Sequence, residues 1–455
     1  MPRRDFTIWF LLLSFFFKEF SRSLLVPNLI VISDFFFGPG PFEAIEIGVV
    51  IAVQMGGSAA ACLLFGILAD KSSRKKITSL SLLIWISGLL LIGFASSYPI
   101  LLIGSLLLGF GAGGYTPVAQ AIIGDATPHD KRGGQVYGWS SMFMVIGYFS
   151  GLFFASAFSP SWQLPFLLIA IPITVLSIWY LFKGRTYQLG MHEPELQVAA
   201  KAENYIYEYR LTKSTFKAVL QNRTNILIFI EGIFSVIGFS MITIYLFPFL
   251  EASPAHITPF IVSLMYLLFI TPPYLFGIFL WGRIGDNLVK KYSRIRVLLV
   301  TLSFFITIPL FMAVFWIRGS PSPLTDTLGA ALANPGILLF FVLFAVGIFL
   351  TAMYDPNQPP ILNAINLPET RGSVFALNRF VEEVGGALGP LIVGIIFESA
   401  GQDFSLAMTL GMLCMIPGAA CWMLALKTYP KDRNLIQKTL TERAKEAMEN
   451  NIKKS

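Results

Sequence analysis

The chain has 455 residues, of which 55% are hydrophobic and only 13% charged, with a formal net charge of +7; its mean hydropathy is +0.69. A soluble domain carries about 25% charged residues, and a soluble chain of this length would need several polar-skinned domains. That excludes a soluble enzyme, a disordered protein and a secreted disulfide scaffold, and leaves an all-α polytopic membrane protein.

A spanning helix needs about 20 apolar residues, and twelve stretches qualify. In chain order they are 7–33, 45–69, 77–97, 100–124, 135–158, 163–183, 224–250, 259–281, 297–317, 336–355, 374–397 and 405–426. The first is interrupted by Lys18, Glu19 and Arg22. It is too long for a cleavable leader, so the expectation is an uncleaved first span. Backbone groups cannot stay unpaired in lipid, and nothing alternates like a barrel strand, so the spans must be helices.

The polar segment 185–222 divides the chain into an N-terminal half, 1–184, and a C-terminal half, 223–430. Within it, Thr212 to Leu220 reads either as an interfacial helix or as a solvated linker. The tail 431–455 spaces Ile436, Leu440, Ala444 and Met448 four residues apart, as an amphipathic helix does. The loops after the even-numbered spans hold nearly all the basic residues; the opposite loops hold only Arg318. By the positive-inside rule both termini are cytoplasmic and the protein is multi-pass, most simply in the cell membrane. The positive net charge is thus topological, and no nucleic-acid partner is expected.

The halves repeat one another. Thr127-Pro128 before Arg132-Gly133 returns as Leu367-Pro368 before Arg371-Gly372, and Gly147 and Gly151 return, equally spaced, as Gly386 and Pro390. Parallel six-helix repeats place a transport site between them.

Ionisable residues inside a membrane are costly and mark function by default. Lys18, Glu19 and Arg22 share one face of the first span; a plain Glu19–Arg22 neutralising pair is the structural alternative. Glu231 lies about two turns into span seven. Arg379, Glu382 and Glu383 cluster on span eleven, where one arginine neutralises only one acid. Asp355 either faces the cavity or caps the end of span ten. Glu19, Glu231, Glu382 and Glu383 are all candidates to carry a proton. Cys62, Cys414 and Cys421 read as packing residues, and the three histidines form no ligand set, so neither metal nor cofactor is expected. No His/Asp or Cys/His pairing stands at a membrane face, which argues against an enzyme.

After span two comes Gly66-Ile67-Leu68-Ala69-Asp70-Lys71-Ser72-Ser73-Arg74-Lys75-Lys76. It resembles the loop 2–3 signature of the major facilitator superfamily, G-x-x-x-D-R-x-G-R-R/K. Lys71 keeps the charge of the usual arginine, and Ser73 stands where glycine is usual. A degenerate second copy runs Gly282-Arg283-Ile284-Gly285-Asp286. The resemblance implies a twelve-helix, two-repeat carrier working by alternating access as a monomer. It also implies a latch of Gly66, Asp70, Lys71, Arg74 and Lys75 against the start of span eleven near Gly372, closed in the outward-facing state, with Asp125 as the partner of Arg74. Gly147 and Gly151, and the fuller Gly386, Gly389 and Pro390, are similar to the family's glycine-rich fifth-helix motif and imply packing or hinge roles.

Asn357-Gln358-Pro359-Pro360 through Glu382-Glu383-Val384-Gly385-Gly386, and Asn222-Arg223-Thr224-Asn225 through Glu231-Gly232, resemble the Spinster-like members. This implies an amphipathic, lysolipid-like substrate. Two departures bear on coupling: that group's first-helix Asp-Arg pair falls near Lys18-Glu19, in reversed charge order, and its fourth-helix glutamate falls near Ala112. H+, Na+ and no coupling ion all stay open, as do an uncoupled facilitator, an exporter of a polar metabolite or drug, and a transporter-fold substrate sensor.

Overall fold

A computed structural model describes residues 6–452 apart from 72, 127–132, 186–212, 253, 318–320, 322, 323, 368 and 369. Among the described residues twelve apolar helices cross the fold, ten of them long and apolar enough by themselves to span a membrane. They are α1 (Phe6–Phe37), α2 (Ala44–Lys71), α3 (Arg74–Gly93), α4 (Tyr98–Ala126), α5 (Gly133–Ala157), α6 (Leu164–Lys183), α7 (Arg223–Glu251), α8 (Pro259–Leu288), α9 (Ile295–Val314), α10 (Pro335–Thr351), α11 (Arg371–Ser399) and α12 (Phe404–Glu442). The twelve stretches expected from hydropathy are these helices.

The breaks follow from sequence. α1 passes through a 3₁₀ turn at Val26–Asn28, where Pro27 removes a donor. α8 widens to a π segment, Tyr266–Ile270, immediately before Pro272 and Pro273. A proline lacks the N–H and crowds the carbonyl four residues back, so the hydrogen-bond register slips there. The last helical segment of α12 runs unbroken from Ile416, past the Glu442 bound of the span, to Ile452, so the tail extends the last span instead of forming a separate helix. Thr212, the first residue of the expected interfacial helix, lies outside the described residues. Beyond it a helix runs over Lys213–Gln221, buries Val219 and is tied down where the Val219 carbonyl accepts from Asn225 Nδ2 at 3.1 Å.

Without a hydrophobic force between helices in lipid, small residues set how closely they approach. A Cβ on Gly147 would strike the Phe16 backbone of α1, and one on Gly151 the Phe20 carbonyl and Ser23. On the other side, a Cβ on Gly389 would meet Ser240 and the Ile237 backbone of α7.

We call the face carrying the termini and basic loops the basic face. The two halves meet on the opposite face. There Gly48 of α2 lies against the Pro390 carbonyl of α11, and Gly394 against the Ala44 carbonyl. Tyr245 Oη of α7 lies 3.1 Å from the Ala44 carbonyl and 3.0 Å from that of Pro390. Phe42, Phe397 and Phe404 form an aromatic plug beside it, with centroids 4.4–6.0 Å apart. α5 and α8 also touch on this face, through Phe153 and Phe260. Toward the basic face, a Cβ on Gly66, near the end of α2, would meet open space.

Candidate functional site

The charged residues of the spans converge where the halves face each other. On α1, Lys18 is buried and its Nζ lies 2.9 Å from Glu19 Oε1; Arg22 Nη1 is 3.9 Å from Glu19 Oε2. On α11, Arg379 Nη2 lies 2.6 Å from Glu383 Oε1, and Nη1 lies 3.4 Å from Glu382 Oε2. Lys18, Arg22 and Glu383 line one small gap together, so the α1 and α11 clusters face one another across the halves. The fold thus joins two groups that lie far apart in sequence.

Glu231 sits apart from this cluster and is fully buried. It accepts from Ser235 Oγ, and from Tyr354 Oη at 3.2 Å. Tyr354 Oη in turn accepts from Gln358 Nε2 at 2.6 Å. Gln358 also reaches Asn378 Oδ1 at 3.4 Å, and Asn378 Nδ2 donates to Glu382 Oε1 at 2.7 Å. A continuous chain of hydrogen bonds therefore runs from Glu231 on α7, past α10, to the α11 cluster. Asp355 is exposed and accepts from Tyr274 Oη of α8 at 2.8 Å. Among the described residues, no lysine or arginine pairs with Glu231 or Asp355.

Two cavities adjoin these groups. The first, of about 300 Å³, is lined mainly by apolar side chains of α1, α5, α7 and α8, including Val26, Met144, Phe149 and Ile270, with Glu19 and Arg22 at one part of its wall. The second, of about 390 Å³, carries more polar and charged groups among apolar ones such as Val236, Phe304 and Met415. Ser303, Thr307, Tyr354, Asp355, Gln358, Arg379, Glu382 and Glu383 line it. Arg22, Met55, Val236, Phe239 and Tyr274 belong to both walls.

The neutral members of the site, Ser235, Tyr274, Tyr354, Gln358 and Asn378, are not marked as site residues by the sequence. A tyrosine or amide in an apolar span carries no charge to flag it; its only signal is polarity near a proline break, as in Tyr354-Asp355-Pro356-Asn357-Gln358. The loop signature is only partly in view. The side chains of Asp70, Lys71, Asp125 and Gly372 lie outside the described residues, as do Thr127, Pro128, Arg132 and Pro368 of the repeat motif. The second copy is in view: Arg296 bonds Asp286, and its Nη1 lies 3.2 Å from Asn357 Oδ1. These contacts hold the ends of α8, α9 and α10 together. A further cluster has no counterpart in sequence spacing. Glu43, Glu46 and Glu398 bring carboxylate oxygens within 4.8 Å of one another on the face where the halves meet.

Twelve helices in two repeats around a shared polar cavity define a membrane carrier fold. The chain belongs to the Major Facilitator Superfamily, whose family model matches residues 11–253 and 228–448. NiaP of Bacillus subtilis (strain 168), a protein named for niacin/nicotinamide transport, is 28% identical over 384 residues, covering 80% of this chain and 84% of the relative. Among solved structures, a bacterial homologue of the human lysosomal transporter Spinster, in an inward-facing and unoccupied conformation, superposes with TM-score 0.76 at 19% identity, over 95% of this chain and 99% of that one. A D-xylose–proton symporter superposes with TM-score 0.64 at 14% identity, over 90% and 95%. The solved structures show the fold, and membership of the family supports a secondary transporter.

Proposed function

We propose that the protein carries an amphipathic, lysolipid-like solute across the membrane by alternating access, coupled to protons. The observation that supports this best is the pair of cavities with a common wall: an apolar chamber beside a charged one, meeting at Arg22. An apolar tail fits the first and a polar head the second. The conformation, closed on the face opposite the basic loops, is the inward-facing one if both termini are cytoplasmic, as the basic loops favour. Opening the other way would bring Gly66 and Asp70 toward Gly372 as the latch, with Arg74, Lys75 and Lys71 beside it.

Glu231 is the proton site in this reading. A buried carboxylate with only hydroxyl partners and no basic neighbour is costly to keep ionised in a membrane, and protonation removes that cost. Tyr354, Gln358 and Asn378 then connect its state to the Arg379 cluster. One specific observation favours a second reading. The NiaP relative is named for a small aromatic acid and its amide, and Arg22 beside Tyr148 and Phe149 suits an aromatic carboxylate.

The test is uptake of labelled lysophosphatidylcholine into proteoliposomes, with and without an inward proton gradient, alongside labelled nicotinate. Protein-dependent lysolipid uptake that rises with the gradient is expected. Nicotinate uptake without lysolipid uptake selects the second reading, and lysolipid uptake indifferent to the gradient removes the coupling.

A further inference from the structure

The charged cavity holds more acid than base. Its basic groups are accounted for: Lys18 is paired with Glu19 at 2.9 Å, and Arg379 with Glu383 and Glu382. Arg22 stands at the wall common to both chambers. Asp355, in contrast, is exposed on the second chamber, and its hydrogen bond there comes from the neutral Tyr274. The same chamber has aromatic walls. Phe239, Tyr274, Phe304 and Tyr354 all line it, with the Phe304 and Tyr354 rings 6.1 Å apart between centroids.

Building on the amphiphile-carrier reading, we propose that this chamber binds an ammonium group of the substrate, with Asp355 as the counter-charge and Phe239, Tyr274, Phe304 and Tyr354 as the aromatic surround. Ring faces attract cations electrostatically, most strongly where water is excluded, and quaternary ammonium groups are held by such surrounds. An uncompensated carboxylate among rings selects a cation over an anion or a neutral group of equal size. Arg22, on the wall common to both chambers and 3.9 Å from Glu19 Oε2, is placed to take a phosphate as a guanidinium does, while Asp355 and the rings line the second chamber. The substrate class is thus a zwitterionic phospho-ammonium amphiphile, in preference to an anionic one.

The test uses the full chain in nanodiscs and calorimetric titration with two probes, butyrylcholine and its uncharged carbon isostere 3,3-dimethylbutyl butyrate. Wild type should bind the choline ester about tenfold or more tightly than the isostere, from a cation–π and charge contribution of that order. Asp355→Asn should erase that preference, and Asp355→Glu should keep most of it. Phe239→Ala should weaken the choline ester more than the isostere. Equal binding of the two probes by wild type overturns the proposal, and so does an unchanged preference in Asp355→Asn. If Asp355→Asn fails to fold, the wild-type preference and Phe239→Ala decide the matter. The lysolipid assay is separable. Equal uptake of lysophosphatidylcholine and lysophosphatidic acid, with no probe preference, sinks the ammonium site and leaves the amphiphile carrier standing. A choline preference without any lysolipid uptake sinks the amphiphile carrier alone.

Discussion

Glu231 and Gly147 show what single residues decide. Glu231 is surrounded by Ser235 and Tyr354, with no base at ion-pair distance among the described residues. Glu231→Gln imitates the protonated acid, keeping size and hydrogen bonding while removing the charge. Transport should become insensitive to the proton gradient while binding of the solute persists. A gradient response equal to wild type would assign the proton to another acid, with Glu382 and Glu383 next in line. Gly147 makes a different kind of demand. Its Cα hydrogen faces the Phe16 backbone, and a Cβ there would overlap it. Gly147→Val should cost about 1–3 kcal/mol, as overpacking does. A lowered thermal midpoint in detergent would read this out, whereas an unchanged midpoint would mean that α1 and α5 separate freely.

At the level of the helix, α8 is the informative case. Its π segment Tyr266–Ile270 precedes Pro272 and Pro273 and lies on the wall of the apolar cavity through Tyr266 and Ile270. An α-helix turns 100° per residue, so removing the slip would swing those two side chains relative to Tyr274. Replacing both prolines with alanine should restore ordinary helix, leave the protein folded and weaken solute transport. Undiminished transport would show that the widened turn does not shape the cavity. Much of this was legible beforehand. Hydropathy located all twelve helices, whereas the interruption expected at the charges of span one falls instead at the Val26–Asn28 turn beyond them. The π turn was not legible, because a proline states where a bond is lost and not how the chain absorbs the loss.

For the molecule as a whole, function turns on which face is closed. The halves are held together opposite the basic loops by Tyr245, by Gly48 and Gly394, and by the aromatic plug around Phe42. The same closure assembles Glu43 and Glu46 from one half with Glu398 from the other. Partial burial, with the carboxylates of Glu46 and Glu398 nearby, pushes the Glu43 carboxyl above its ordinary range. The closed arrangement therefore binds protons more readily than the open one. Its stability is greatest at low pH and falls as pH rises through the elevated value. With the native cysteines replaced, a cysteine pair at Ala44 and Gly394 should cross-link more completely as the solution on that face is acidified. Yields that stay flat across the titration of Glu43, or that fall on acidification, would reject the link. Tyr245→Phe removes one hydrogen bond, a change of about 1 kcal/mol, and should shift the closed fraction about fivefold toward open. The same cross-link measures it.

By itself the sequence determined the membrane setting, the helix count, the duplication and the family. Each follows from local composition or spacing: twenty apolar residues must span, and their backbone must be helical. It also identified the charged residues, because charge in an apolar run is conspicuous. Only the tertiary structure decided how they pair. Lys18 and Glu383 are brought to one gap by the packing of α1 near α11, which no spacing rule encodes. The same packing decided that Asp355 meets Tyr274, that Tyr354 bonds Glu231, and that Glu43 meets Glu398. These contacts join residues from different helices, and their geometry is set by how closely glycine-lined helices approach.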